Sequence, residues 1–332
     1  MRQFEYASAA TRQQVPELLG AQGDAAILAG GTDLLALMKD DVVTPKRLVN
    51  IKDIRELRGV TAGRQGLRLG ALATLDEIAT NATVRKSHPM LAEACAEAAS
   101  PQIRNMATIG GNVCQRPRCW YFRNGMGLLA MRDGKSMVLD GDNRYHAVLG
   151  NDGPAYFVSP STVVPVLIAY GAKVRIHGPS GPREVPLEKF FVIPKNETER
   201  EHDLRPNELV TEIIVPPAPA GARTSNYEVR QKEAFDWPLA TASVLLQMSG
   251  NTVKSARVVL GNVAPVPWPS PEAEQALAGK QVTPETAMAA ANAALSKAKS
   301  LGKNKYKITV AKAAVKRAIL KAAGIDPLQG GV

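Results

Sequence analysis

The stretch Leu28-Ala-Gly-Gly-Thr-Asp33 joins a short apolar run, Ala25–Leu28, to an apolar helical pattern that begins at Leu34. Adjacent glycines accept positive φ angles and let a ligand approach the backbone without meeting a Cβ atom. Their amide groups, followed by the start of a helix, form a concavity that suits phosphate. The alternative is an ordinary turn in which Thr32 or Asp33 caps the helix.

A second pair of glycines lies in Thr108-Ile-Gly-Gly-Asn112, about eighty residues after the first. Small polar residues flank both pairs. Two such segments can hold one diphosphate from two sides, which favours a phosphate site over two unrelated turns.

Composition is that of a soluble globular chain. The 332 residues are 45% hydrophobic and 22% charged, which is enough for two or three cores. No secretory signal follows Met1, and no apolar window is long enough to span a membrane. Three cysteines fit a reducing compartment. We expect a cytoplasmic chain, or a periplasmic one if a partner carries the export signal.

Much of the net charge of +10 comes from one segment near the C-terminus. Nine lysines and arginines lie between Ser296 and Lys321, with no acidic residue among them. A basic tail can indicate nucleic acid. However, Ala311, Val315, Ala318, Ile319 and Ala322 share one helical face. We therefore predict a docked helix with a solvated basic face, and no nucleic-acid partner.

The order of the helix and strand patterns divides the chain into three regions. Residues 1–58 read as a small α/β unit, with helices at 11–19 and 34–39 and strands at 25–28 and 47–51. Residues 59–221 contain a capping-box pattern at Thr74 and Glu77 and a strand at 209–215. A Pro-rich stretch at 216–221 marks a boundary. Residues 222–332 read as three strands followed by three helices, near 272–277, 284–301 and 309–323, an α+β order.

The stretch Cys114-Gln-Arg-Pro-Arg-Cys-Trp-Tyr-Phe-Arg123 places three aromatic residues side by side among three arginines and two cysteines. Little periodicity follows, so residues 113–153 read as a long structureless inserted loop, and such loops are usually functional. Arginines interleaved with aromatic residues are typical of nucleic-acid stacking, but they also line cofactor sites and partner interfaces.

The absence of several known sequence motifs limits the chemistry that the side chains of this protein can carry out. The Gly-x-Gly-x-x-Gly fingerprint, the phosphate-binding Gly-x-x-x-x-Gly-Lys-Ser/Thr loop and the Gly-x-Ser-x-Gly elbow are all missing from the sequence. The four histidines are dispersed, and the two thiols of Cys114 and Cys119 do not complete a metal site. We predict no catalytic and no metal-ligating residue. The residues favour a bound diphosphate cofactor that carries the chemistry itself.

The order and spacing of several segments resemble one family along nearly the whole chain. Besides the two glycine segments, these are residues 183–191 (REVPLEKFF), 208–213 (ELVTEI), 227–236 (YEVRQKEAFD) and 258–265 (VVLGNVAP). The chain resembles the FAD-binding (medium) subunit of molybdenum hydroxylases, the xanthine dehydrogenase family. Residues 114–123 and 143–150 are most similar to the periplasmic aldehyde oxidoreductase branch.

The resemblance implies an α+β chain. A two-subdomain α/β FAD-binding fold, like that of p-cresol methylhydroxylase (PCMH) and vanillyl-alcohol oxidase, precedes a C-terminal α+β domain like that of CO dehydrogenase flavoproteins. The subdomains would be 1–58 and 59–221, and the last domain 222–332. The implied FAD contacts are Ile27, Leu28, Ala29, Gly30, Gly31, Thr32, Asp33, Leu34, Thr108, Gly110, Gly111, Asn112, Thr162, Val192, Ile193 and Lys232. Val192 and Ile193 would lie near the flavin ring.

The resemblance also implies partners. A molybdopterin subunit would oxidise the substrate, and a two-iron ferredoxin-like subunit would pass electrons to FAD in this chain. The flavin would pass them to an external acceptor. An alternative is a stand-alone FAD-dependent oxidase or reductase of the same fold, although no candidate base stands out. A further alternative is a scaffold that has lost FAD.

The sequence departs from the family pattern at two places. In the aldehyde oxidoreductase branch the inserted loop holds a four-iron cluster on four cysteines, but Leu128 and Ser136 replace two of them. We therefore predict that the loop is retained and the cluster lost. Thr162 stands where the family usually has an aspartate near the flavin, which is expected to weaken one contact.

Overall fold

The computed structural model describes residues 1–232 and 235–329. The N-terminal part is a three-stranded sheet with two helices. Its elements are β1 (Glu5–Ser8), α1 (Val15–Leu19), β2 (Ala25–Leu28), α2 (Leu34–Lys39) and β3 (Arg47–Asn50). The sheet is parallel with the order β1-β3-β2. Because parallel neighbours need crossovers, each connection carries a helix, and the β2–α2 turn holds the first glycine pair. The predicted bounds of β2 and α2 are confirmed.

The second part is built on a five-stranded antiparallel sheet of order β4-β5-β10-β8-β9. Helices pack against it around Leu69, Leu91, Val166 and Ile213, which are fully buried. The capping box is confirmed, because Thr74 and Glu77 exchange both hydrogen bonds. The elements up to the inserted segment are β4 (Val60–Gly63), β5 (Gly66–Gly70), α3 (Leu75–Thr80), α4 (Ala82–Ser87), α5 (Pro89–Glu97), α6 (Pro101–Arg104) and α7 (Ile109–Val113).

The inserted segment is ordered into local structure, so the prediction of a structureless loop is wrong. It contains α8 (Trp120–Arg123), β6 (Met131–Arg132), β7 (Lys135–Ser136) and α9 (Met137–Asp140). Phe122, Leu128 and Phe157 form a small core with Leu37 of α2. This core explains the error, because its members are too scattered in sequence to show a period. The part then continues with α10 (Val163–Ala169), β8 (Lys173–Gly178), β9 (Gly181–Pro186), α11 (Leu187–Phe190) and β10 (Leu209–Val215).

The C-terminal part follows the predicted order of strands and then helices. Its sheet is antiparallel, β11-β12-β13-β14, and the helices pack around Val244, Leu260 and Ile319. The elements are β11 (Arg223–Val229), β12 (Ala240–Ser249), β13 (Thr252–Gly261), β14 (Trp268–Pro269), α12 (Pro271–Leu277), α13 (Pro284–Ala294) and α14 (Tyr306–Ala323). Residues 233–234 and 330–332 of the predicted C-terminal domain lie outside the described residues.

Two details of the C-terminal prediction are wrong. Helix α13 ends at Ala294 and not near residue 301, because the chain turns away so that the Lys299 amide donates to the carbonyl of Val148 in the inserted segment. The basic face of α14 is not wholly solvated either. Lys307 and Lys316 are buried, and Lys307 Nζ donates to the carbonyl oxygens of Tyr145 at 2.9 Å and Asn262 at 2.8 Å.

No helix within the described residues is long and apolar enough to cross a membrane.

Candidate functional site

The two glycine segments face one cavity of about 540 Å³. This volume lies within the usual range for small-molecule sites. Most of the predicted contact residues line it, and they come from the β2–α2 turn, α7 and the start of α10. These are Ile27, Ala29, Gly30, Gly31, Thr32, Asp33, Leu34, Thr108, Gly110, Gly111, Asn112 and Thr162. The fold thus brings together two segments that the sequence places far apart.

Close packing accounts for two of the glycines. A Cβ atom on Gly30 would overlap the carbonyl oxygen of Met106, so the first segment rests directly on the chain that leads to the second. A Cβ on Gly110 would lie 2.9 Å from both the Cβ and the carbonyl oxygen of Ala71. Gly31 has a φ of 75°, which favours glycine in the β2–α2 turn.

Gly111 is different, because only Thr108 Oγ1, at 3.0 Å, would be within 4 Å of a Cβ atom placed there. The residue lines the cavity and its backbone has no positive φ. Neither crowding by backbone nor conformation therefore requires a glycine at this position. Close approach of a ligand to the backbone is the remaining physical reason for it.

The second glycine pair forms the first turn of α7. Thr108 caps this helix by accepting the Gly111 N–H at 3.2 Å. Ser161 Oγ donates to Asn112 Oδ1 at 2.6 Å and accepts the N–H of Val164 in the first turn of α10. The Thr162 hydroxyl makes no hydrogen bond with any described residue and is available to a ligand on the cavity wall.

Asp33 stands at the N-cap position of α2 but makes no side-chain cap. Its carboxylate instead binds the inserted segment. Oδ2 accepts the Arg116 N–H at 2.9 Å, and Oδ1 accepts Arg123 Nη2 at 2.8 Å and lies 3.2 Å from Arg118 Nη2. Arg118 also stacks on Trp237, from the β11–β12 connection, at 4.6 Å. The inserted segment therefore forms part of the cavity wall.

Sequence reasoning did not assign several other cavity residues to the site. Leu209 and Val210 line the cavity from β10, and Phe235 and Trp237 line it from the β11–β12 connection. Arg200 lies in the loop before β10. No local pattern marks these positions as a set, because only the folded chain brings them to one wall.

Four predicted contacts, Leu28, Val192, Ile193 and Lys232, do not line the cavity. Leu28 is half-buried in β2, and Val192 is exposed beside the β-bridge between Phe191 and His202. Ile193 packs against the small core of the inserted segment. The Lys232 amide donates to Asp236 Oδ2 at 3.1 Å, just before the undescribed pair 233–234. Their assignment as cofactor contacts stays a prediction.

Comparison with known proteins identifies the family of the chain. Residues 2–218 match the family described as FAD binding domain in molybdopterin dehydrogenase, and residues 225–322 match the CO dehydrogenase flavoprotein C-terminal domain. The chain belongs to this family of FAD-binding subunits. The family, fold class and enzyme class predicted from the sequence are confirmed, as is FAD as the cofactor.

Individual members of this FAD-subunit family are similar over almost their full length. The carbon monoxide dehydrogenase medium chain of Hydrogenophaga pseudoflava is 32% identical over 95% of this chain and 96% of its own. The aldehyde oxidoreductase FAD-binding subunit PaoB of Escherichia coli is 31% identical over 92% and 91%. A solved structure of the Hydrogenophaga enzyme superposes with a TM-score of 0.76 over 97% of this chain and 98% of that one.

The cavity fits the FAD of this family. It offers a close backbone approach at Gly111, an unpartnered hydroxyl at Thr162, and the guanidinium groups of Arg200 and Arg205, which make no hydrogen bond or ion pair with any described residue. Unpaired cations and open backbone are what a diphosphate requires.

The cysteines of the inserted segment are not arranged as a ligand set. Burial raises the pKa of Cys114 to about 12 and also raises the pKa of Cys119, whose Sγ lies 3.2 Å from His146 Nε2. Leu128 is buried in the small core, and Ser136 Oγ caps α9. Within the described part of the chain, no three His, Cys, Asp or Glu side chains are placed to hold a metal ion. Loss of the four-iron cluster stays a prediction.

Proposed function

We propose that this chain is the electron-transfer subunit of a molybdopterin-dependent dehydrogenase and holds FAD in the 540 Å³ cavity. The observation that carries the proposal is that two glycine segments and two unpaired arginines face one cavity, in a chain that belongs to an FAD-binding family. FAD, when bound, accepts electrons singly and releases them as a pair, so the protein need supply only binding and positioning.

The proposed placement puts the diphosphate between residues 30–33 and 110–112. Gly111 allows the approach of the phosphates, and the Thr162 hydroxyl offers a further hydrogen bond. The cavity wall also includes apolar side chains, among them Ala25, Ile27 and Ile51, and the aromatic side chains of Phe235 and Trp237. Leu28, Val192, Ile193 and Lys232 remain proposed contacts that do not line the cavity.

The proposed partners are an iron–sulfur subunit that delivers electrons and a molybdopterin subunit that oxidises the substrate. Support comes from relatives named as a carbon monoxide dehydrogenase medium chain and an aldehyde oxidoreductase FAD-binding subunit, which match over 95% and 92% of this chain. We propose three units with bounds 1–58, 59–221 and 222–332. We place the complex in the cytoplasm, or in the periplasm if a partner carries the export signal.

The test is an absorption spectrum of the purified full chain, followed by denaturation and identification of the released flavin. We expect oxidised-flavin bands and about one FAD per chain, with iron at background. A colourless chain that fails to take up added FAD would contradict the proposal and favour a scaffold.

A further inference from the structure

The charges beside the glycine segments do not balance. Arg116, Arg118 and Arg123 surround Asp33, and Arg116 Nε also binds Glu201 Oε1 at 2.8 Å. Arg200 lies near these residues and interacts electrostatically with Arg116. This arginine cluster therefore has four guanidinium groups and two carboxylates, an excess of two positive charges. A diphosphate diester carries one negative charge on each phosphate and would neutralise that excess.

Arg200 is the member of the cluster that lacks a partner. Its guanidinium makes no hydrogen bond or ion pair with any described residue and lies on the cavity wall. The residue is exposed to solvent at the cavity, with the like charge of Arg116 and the opposite charge of Glu201 near it. An exposed guanidinium that has no ion-pair partner and lies on the cavity wall is available to bind an anion there.

The backbone that carries Arg200 is fixed on its C-terminal side. The carbonyl of Glu201 accepts the Val192 N–H at 3.0 Å, and the Asp203 N–H donates to the carbonyl of Phe190 at 2.8 Å. Glu201 and His202 are themselves buried. Arg200 is thus presented to the cavity from an anchored segment, which lowers the ordering cost of binding an anion.

We propose that Arg200 binds the diphosphate of the cofactor directly, and that the inserted segment serves the flavin site by supplying the rest of the positive charge through Arg116 and Arg118. This inference rests on the proposed function, because it concerns FAD in the same cavity. It gives the inserted segment a role that is independent of any metal cluster.

The proposal predicts that Arg200 contributes to the affinity for FAD but not to the stability of the flavin-free chain. An Arg200→Gln change removes an unpaired charge, so the flavin-free protein keeps or raises its melting temperature, because repulsion of Arg116 is relieved. The same change raises the dissociation constant for FAD about 10- to 100-fold, the usual effect of losing one hydrogen-bonded charge. FAD consequently raises the melting temperature of the variant less than that of the wild type.

The experiment uses the full chain, stripped of flavin, and measures FAD binding by fluorescence titration and melting temperature with and without FAD. Arg200→Lys keeps the charge and is expected to recover part of the lost affinity. Arg144→Gln is the control. Arg144 lies in the inserted segment with Arg116 and Arg118, but it pairs with Asp142 at the surface and does not line the cavity.

The outcomes distinguish this inference from the proposed function. A wild-type chain that binds no FAD contradicts both. A wild type that binds FAD, with an Arg200→Gln variant within about twofold of it, contradicts the inference alone. A variant whose flavin-free form melts lower than the wild type shows a structural role for Arg200 and also overturns the inference.

Discussion

Arg123 donates its Nη2 to Asp33 Oδ1 at 2.8 Å, although 90 positions of sequence separate the two residues. The carboxylate belongs to the first glycine segment and the guanidinium to α8 of the inserted segment. Both side chains are more than four-fifths buried. This pair fixes the inserted segment to the cavity, so its removal should affect both the stability of the chain and its affinity for FAD.

We predict that Arg123→Gln lowers the free energy of unfolding by about 1–3 kcal/mol, because Asp33 loses a charged partner in a largely buried setting. Urea unfolding, followed by tryptophan fluorescence, measures the change. The Arg144→Gln variant should unfold like the wild type, because its ion pair is at the surface. Equal stability of the two variants would show that the Asp33 contact contributes little.

Gly111→Val should greatly reduce FAD loading while the chain stays folded, because a Cβ atom there meets only Thr108 Oγ1 within the protein and the added side chain stands on the cavity wall that the ligand approaches. Gly153→Val is the matched control, since a Cβ at Gly153 meets nothing within 4 Å and the residue lies outside the cavity. Flavin content per folded chain is the measurement. A Gly111→Val protein that purifies fully loaded would show that the diphosphate lies elsewhere.

Gly30→Val should behave differently from Gly111→Val. Its side chain would collide with the Met106 carbonyl, so we expect loss of soluble folded protein and not merely loss of flavin. Circular dichroism and size-exclusion chromatography of the expressed protein decide this. A folded, flavin-free Gly30→Val chain would mean that the two glycine segments can separate without unfolding.

Lys307 should make stability depend on pH. Burial lowers its pKa from 10.5 to about 7, so between these values the unfolded chain holds a proton that the folded chain has released. The free energy of unfolding must then increase with pH across this window, and the penalty for the buried charge is complete below about pH 7. Melting temperatures of Lys307→Met should rise less between pH 7 and 9.5 than those of the wild type.

Lys305→Met serves as the control for that series, because Lys305 is exposed at the start of the same helix. It should keep the pH dependence of the wild type. Parallel curves for the wild type and Lys307→Met would show that Lys307 stays protonated in the folded chain.

Iron analysis tests the predicted loss of the cluster. Wild-type chain, Cys114→Ala and Cys119→Ala should all contain only background iron after anaerobic reconstitution, because the described residues supply no set of ligands. About four irons per wild-type chain, lost on either change, would show that other ligands replace the missing cysteines.

Local patterns predicted the parts of the site that are local. The apolar run before Gly30, the helix that begins at Leu34 and the capping box at Thr74 depend on residues within a few positions of each other, and each is found where predicted. The family resemblance supplied the cofactor. Neither source could identify Arg200 as unpaired or Lys307 as buried, because both properties depend on distant segments.

The ion pairs between Asp33 and the arginines of the inserted segment also could not be predicted from local patterns. The sequence places three arginines beside three aromatic residues, a pattern that equally suits nucleic acid, a cofactor or a partner. Only the fold shows that these arginines meet a carboxylate from the first glycine segment. The resemblance also has a limit at Val192 and Ile193. It placed them near the flavin, but the described cavity does not include them.

The inserted segment is attached at both of its ends to different parts of the molecule. Its beginning binds Asp33 beside the cavity. Its end is bound by Lys307 of α14, at the Tyr145 carbonyl, and by Asn304 just before α14, which donates to the carbonyls of His146 and Ala147. The inserted segment therefore connects α14 to the first glycine segment. A partner that displaced α14 would strain this connection and so alter how tightly the chain holds its flavin.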